Sequence, residues 1–211
     1  NNFQNTLNLI KIMKENNVKN FIFSSTASLY GNPEKMPINE KAPTKPINPY
    51  GQSKLLVEKA LQRESEQGNL NYISLRYFNA SGADPDTEIG EMHNPETHLI
   101  PLILDTAIGK QSFISIYGDD YNTPDGTCIR DYIHVNDIAK AHLLAYDYLK
   151  EKQESNIFNL GNGNGFSVKE VIDVCRRVTD VTIPTIVKPR RKGDPAKLIA
   201  DSSKIQEEFN W

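Results

Sequence analysis

The sequence predicts an α/β fold built on a parallel sheet. Helical and strand patterns alternate over the first third of the chain in the order α–β–α–β, the order of a βαβ unit. The stretch "VKNFIFSS" holds Phe21, Ile22 and Phe23 as a continuous apolar run, as in a strand covered on both faces. Three hydroxyl residues, Ser24, Ser25 and Thr26, end that run, at the strand edge where open α/β sheets receive ligands.

The elements follow in order. Residues 6–16 set Leu7, Ile10 and Met13 at helical spacing, and "VKNFIFSS" follows as a strand. Residues 32–49 are proline-rich and read as a loop. A helix is expected over about 53–67, with Leu56, Ala60 and Leu61 inward and Gly68 at its end. "NYISLRYFN" is a strand, 81–97 a polar loop, and 98–109 a helix with Leu99, Leu102, Ile103 and Ala107. "SFISIYG" is a strand, Asp125-Gly126 a turn and "CIRDYIHV" a further strand. Asn136 or Asp137 would cap the next helix. "SNIFNLG" is a strand, and Ser167 with Glu170 forms a capping box for a helix reaching Thr179. "VTIPTIVKP" is a strand candidate weakened by Pro184. The chain stops on the helix-like run "KIQEEFNW".

Composition narrows the function. The 211 residues are 38% hydrophobic and 24% charged, within the range of soluble globular proteins. A net charge of −3 offers no electrostatic attraction for nucleic acid or an anionic membrane. No apolar run approaches the ~18 residues of a membrane span. Cys128 and Cys175 lie far apart without ligand spacing, so reduced thiols in a cytoplasmic protein are expected and no metal is assigned. The stretch "NLGNGNG" places Gly161, Gly163 and Gly165 between a strand and a helix. Its spacing is G-x-G-x-G, and no acidic residue ends a second strand about twenty places on. Turn glycines are favoured there over a phosphate cradle.

"NPYGQSK" carries the chemistry. Tyr50 and Lys54 are four residues apart and share one helix face. Bringing a phenol from pKa ~10 to ~7 requires roughly 4 kcal/mol. An ammonium at ~4 Å with an effective dielectric of ~20 supplies about that much. Alone, the spacing is a common coincidence. Strand-end hydroxyls followed by Tyr-x-x-x-Lys at a helix start, however, resemble the extended short-chain dehydrogenase/reductase family. Within it the chain is similar to the branch that inverts carbon 4 of UDP-hexoses. The stretches that carry the likeness are "NFIFSSTASLYG", "NPYGQSK", "LRYFNASGA", "YGDDYNTPDGTCIRDYIHVNDIA", "FNLGNGNGFSV" and "PRRKGDPA", in family order along nearly the whole chain.

The resemblance implies a Rossmann-type NAD-binding sheet with its first half missing, and a smaller α/β substrate-binding domain. Residues 1–80 would be the C-terminal half of the NAD domain. Residues 81–211 would mainly bind the UDP-sugar, with about 130–162 returning to the first sheet. It further implies that a Gly-rich NAD unit precedes this chain, that a short C-terminal segment follows it, and that the isolated piece is inactive. Tyr50 would be the base, Lys54 would lower its pKa and hold the nicotinamide ribose, and Thr26 would relay the proton. NAD would also meet Asn1, Ser24, Tyr77 and Phe78. The UDP-sugar would meet Thr26, Asn79, Leu99, Ser115, Tyr117, Arg130, Arg191, Asp194 and Leu198. Leu198, where a bulky tyrosine restricts the family to glucose and galactose, would leave room for N-acetyl sugars. A homodimer would form through a four-helix bundle including residues 6–16 and 53–67.

Plainer readings remain. Arg130 could pair with neighbouring Asp131, "PRRKGD" could be a solvated loop, and His134 reads as a satisfied strand histidine. A dehydratase or decarboxylase of the same family would need acids after the strand-end threonine, where Ala27 and Ser28 stand. A non-catalytic dinucleotide-binding protein would be expected to lose Tyr50, Lys54 or the hydroxyl, and all three are present.

Overall fold

A computed structural model describes residues 2–211. Asn1, expected to touch NAD, lies outside the described residues. The helices are α1 (Asn2–Glu15), α2 (Pro49–Glu66), α3 (Leu99–Ala107), α4 (Val135–Lys152), α5 (Val168–Thr179) and α6 (Ser203–Phe209). The strands are β1 (Asn20–Ser24), β2 (Asn71–Tyr77), β3 (Asn79–Ser81), β4 (Ile114–Tyr117), β5 (Ile129–His134), β6 (Asn156–Leu160), β7 (Gly165–Ser167), β8 (Thr185–Lys188) and β9 (Lys197–Leu198).

The first sheet is parallel throughout, in the order β1–β2–β6, with α2 as the crossover between β1 and β2. Ile73 and Leu75 of β2, with Phe158 and Leu160 of β6, pack against Ala141, Ala145 and Leu149 of α4 and Phe209 of α6. Ile10 of α1 and Leu61 of α2 pack with Phe23 and Tyr72 on another face. Covered on both sides, these strands need the continuous apolar runs seen in the sequence. A second sheet joins β3 and β9, both parallel to β5, with β7 antiparallel to β5. β4 and β8 form a separate parallel pair. Of residues 130–162, α4 and β6 lie on the first sheet, whereas β5 belongs to the second.

Several boundaries differ from the sequence expectation. α2 begins four residues early because the Asn48 side chain accepts the Gly51 N–H at 2.8 Å, with Pro49 in the first turn. Tyr50 therefore sits at the helix entrance. The expected strand 71–79 is two strands. The Phe78 N–H donates to the Leu160 carbonyl at 3.0 Å, and the chain then crosses from the first sheet to the second. The cap of α4 is His134, whose Nδ1 accepts the Asn136 N–H at 3.2 Å, rather than Asn136 or Asp137. His134 is thus an exposed cap. β8 begins only after Pro184, and β7 and β9 are too short to show alternation. The Ser167–Glu170 capping box is present.

The glycine-rich stretch cradles an internal anion. Asp131 is fully buried, and its carboxylate accepts the N–H groups of Asn162 (2.8 Å), Gly163 (3.0 Å) and Ala200 (3.0 Å). Burial pushes its pKa up against these hydrogen bonds. A Cβ on Gly161 would stand 2.5 Å from the Ala200 Cβ and 2.6 Å from Asp131 Oδ2, so only glycine fits. The glycines tie β6 to β5, the turn role favoured from their spacing.

A buried polar network joins β1, α2, β2 and β6. Arg76 donates from Nε to Glu58 Oε1 (3.0 Å) and from Nη2 to Oε2 (2.6 Å), with both side chains 5% exposed. The Ser25 hydroxyl donates to Glu58 (2.5 Å), Arg76 donates to the Tyr30 oxygen (2.9 Å), and Tyr30 donates to Asn159 (2.7 Å). Replacing Arg76 with Met leaves Glu58 buried and unpaired, and is expected to cost about 3–5 kcal/mol. Urea unfolding checks this. A loss below about 1 kcal/mol would show the pair to be dispensable.

Candidate active site and binding cleft

The C-terminal ends of β1 and β2 gather one group of side chains. Thr26 leaves β1 in an extended conformation and caps the short 3-10 turn Ala27–Tyr30, its hydroxyl accepting the Ser28 N–H at 3.1 Å. The Thr26 side chain also stands close enough to the Tyr50 phenol to influence its titration. Burial pushes the Tyr50 pKa above its ordinary value, Tyr77 adds to the rise, and Thr26 opposes it. Tyr50 is nonetheless 49% exposed, open to a ligand at the sheet edge.

Lys54 lies one turn further along α2. Its ammonium donates to the Ser24 carbonyl at 2.8 Å, 4.9 Å from the Phe23 ring centre and 5.8 Å from that of Tyr50. Burial lowers its pKa. Here the Lys54 ammonium is engaged by the strand-end carbonyl rather than by the Tyr50 phenol. Desolvation dominates the phenol. A residue missed in the sequence completes the group. His142 Nδ1–H donates to the Ile138 carbonyl (2.8 Å), leaving Nε2 to accept from the Ser24 hydroxyl (3.1 Å). No local motif marks His142, because only the packing of α4 on β1 brings it there. Tyr77 is half-buried at the end of β2, and Phe78 is buried with Ala27, Leu29 and Leu55.

A cleft of about 530 Å³ opens beyond Phe78. Asn79, Leu99, Ser115, Tyr117, Arg130, Arg191 and Asp194 all line it, as the resemblance implied. On β4 the pleat sends Ile114 and Ile116 into the core and leaves Ser115 and Tyr117 for the cleft. The Arg191 guanidinium lies 3.8 Å from the Tyr117 ring centre, and its nearness lowers the Tyr117 pKa. Arg130 donates to Asp194 Oδ1 (2.9 Å) and to the Pro195 carbonyl (2.8 Å). Arg130 and Asp131 face opposite sides of β5, so their pairing does not occur. Lys188, opposite Tyr117 in the β4–β8 register, adds a third cation that the sequence did not single out.

Leu198 stands apart. It does not line this cleft but packs, partly buried, against the cluster that contains Ala27, Leu29 and Phe78. Its backbone pairs with that of Arg130 in β5. Thr26 likewise lies outside the cleft lining, at the strand end.

Residues 1–161 match the model of the NAD dependent epimerase/dehydratase family. Over all 211 residues the chain is 55% identical to a UDP-glucose 4-epimerase of Halalkalibacterium halodurans, spanning 63% of that protein. It superposes with a TM-score of 0.95 and 43% identity on UDP-glucose 4-epimerase from Bifidobacterium longum, solved in complex with NAD+ and UDP, covering all of this chain and 64% of that one. A UDP-Glc/GlcNAc 4-epimerase from Campylobacter jejuni aligns over the whole chain with a TM-score of 0.81 and 48% identity, and 64% of its own length is covered. The chain thus spans a little under two thirds of the relatives it matches.

Because desolvation governs Tyr50, its phenol should titrate above pH 10 in this chain, with less phenolate at neutral pH than free tyrosine. Carbon-13 spectra of ring-labelled tyrosine, with Tyr50 identified through Tyr50→Phe, give the midpoint. A midpoint below 10 would return the controlling influence to Lys54.

Proposed function

The chain belongs to the NAD dependent epimerase/dehydratase family, and from that premise we propose that the whole protein inverts carbon 4 of UDP-hexoses with NAD as cofactor. The observation that carries this reading is the gathering of Thr26, Tyr50 and Lys54 at the open edge of the sheet, with the Lys54 ammonium 5.8 Å from the centre of the exposed Tyr50 ring. The cleft beyond it, with Arg130, Lys188 and Arg191 for a diphosphate, supports a UDP-sugar as substrate.

The residues present fit the nicotinamide end of NAD. Tyr50 is half-exposed, and among the described residues Lys54 uses one of its three donors on protein. Ser24, Tyr77 and Phe78 stand beside them at the strand ends. Residues 1–211 hold no G-x-G-x-x-G loop for the pyrophosphate, so activity is assigned to the whole protein and none to these residues in isolation. Bound NAD would supply a reversible acceptor for the C4 hydride. Tyr50 takes the proton of the sugar 4-hydroxyl and returns it after the 4-keto sugar has presented its other face. Thr26 holds the 4-oxygen and the phenol in one hydrogen-bonded line. Lys54 holds the ribose, and the cleft keeps the nucleotide anchored while the sugar turns. Ala27 and Ser28 provide no acid for elimination of water, which favours epimerisation over dehydration.

The proposal extends to domains, substrates and assembly. The division near residue 80 is supported by the crossing at Phe78 between the two sheets. N-acetylhexosamines are included as substrates, a reading supported by the likeness to the Campylobacter jejuni protein. A homodimer through α1 and α2 is supported by Leu9, Ile12 and Leu56, which are 45%, 54% and 37% exposed on those helices. Changing Leu9 and Ile12 to Asp should convert a dimeric parent protein to monomer in sedimentation. An unchanged dimer would place the interface elsewhere.

Incubating the whole protein with UDP-galactose and no added NAD should yield UDP-glucose of unchanged mass. Tyr50→Phe should slow turnover at least about 100-fold through loss of the base. A product lighter by water or carbon dioxide, or none with or without NAD, would sink the reading.

A further inference from the structure

The loop before α3 brings together four donors, of which His98 alone also lines the cleft. Glu91, His93, Glu96 and His98 have the near-palindromic spacing E-x-H-x-x-E-x-H. Their ligand atoms all lie within 4.8 Å of one another. His93 Nδ1 is 3.0 Å from Glu91 Oε1 and 3.7 Å from Glu96 Oε2, and His98 Nδ1 is 2.5 Å from Glu91 Oε1 and 3.1 Å from Glu96 Oε1. Each imidazole thus meets both carboxylates, and the two rings sit 5.0 Å apart.

We infer that Glu91, His93, Glu96 and His98 form a structural site for a divalent transition-metal ion, zinc in preference to magnesium or calcium. Zinc bonds of ~2.0–2.1 Å in a tetrahedron set neighbouring donors about 3.3 Å apart. The four His–Glu separations, from 2.5 to 3.7 Å, bracket that edge, so small side-chain rotations reach it. Two imidazole nitrogens with two carboxylates suit zinc, whereas magnesium and calcium prefer an all-oxygen shell. Two carboxylates in one small loop repel each other, and a divalent cation cancels their charge. Glu96 is also positioned independently of the histidine rings, because its Oε1 accepts the backbone N–H of Thr97 (2.6 Å) and His98 (2.7 Å). Four protein donors leave no open position, which makes the site structural. The ion would tie the loop to the start of α3, since His98 is the N-cap of that helix and Leu99 lines the cleft.

A competing arrangement is a set of imidazolium–carboxylate pairs with no metal, and calorimetry separates the two. The whole protein, without a polyhistidine tag and dialysed against EDTA and then metal-free buffer, is titrated with zinc chloride. One ion per chain is expected with Kd at or below about 1 µM, or roughly −8 kcal/mol, and excess magnesium should not compete. His93→Gln/His98→Gln removes both nitrogen donors and should weaken binding at least ~100-fold. Both side chains are 55% exposed, so the core is left intact. Should that variant misfold, Glu91→Gln and Glu96→Gln singly should each still weaken binding. Zinc should raise the thermal midpoint of the unaltered protein and not that of the double variant. The absence of saturable zinc binding, or equal affinity in the folded variants, would overturn the inference.

Discussion

The buried Glu58–Arg76 pair is the constraint on which the placement of Tyr50 and Lys54 rests. Glu58 lies one helical turn beyond Lys54 on α2, and Arg76 lies on β2 just before Tyr77 and Phe78. Their double hydrogen bond, with the bond from Ser25, fixes α2 against the ends of both strands. Removing either partner strands a charge where water cannot reach it. A displacement of α2 along the sheet would therefore have to break this network. Tyr30 and Asn159 extend the same network to β6, so the first sheet and its crossover helix act as one rigid mount.

Reactivity at that mount depends on what is added to it. Burial pushes the Tyr50 pKa up and lowers that of Lys54, so both groups sit in a partly desolvated pocket edge. The two groups are aligned, and the charge balance that would activate them is not supplied by their own spacing. The cleft differs. Its cations already make contacts with the protein, Arg191 through Tyr117 and Arg130 through Asp194. A diphosphate would have to draw on donors held in place beforehand, an arrangement that limits the reordering needed on binding.

The second sheet links the two regions. β5 carries Arg130 to the cleft and Asp131 into the core, where the amides of Asn162, Gly163 and Ala200 receive it. One strand thereby serves binding on one face and architecture on the other. Thr97, His98 and the start of α3 close the far wall, and the Glu91–His98 cluster shares His98 with it.

Much of this was legible in the residues themselves. The continuous run at Phe21–Phe23, the Ser167–Glu170 box and the Tyr50–Lys54 spacing are local patterns, and each appears where it was read because short-range geometry suffices to form it. The seven cleft residues expected from the resemblance also came together. Other features depend on partners distant in the chain. His142 meets Ser24 across 118 positions, Arg130 pairs with Asp194 across 64, and the glycine loop takes its anion from Asp131. Leu198 packs against the Ala27–Phe78 cluster, far from it in sequence, and β7 and β9 are strands only because β5 supplies their hydrogen bonds. The sequence by itself determined the α/β alternation, the Ser167–Glu170 capping box and the placement of Tyr50 and Lys54 on one helix face, since periodicity and spacing encode them. The direction of the Tyr50 shift, the orientation of Lys54 and the membership of each pocket were decided by the tertiary structure, because desolvation and charge pairing depend on neighbours that only folding brings together.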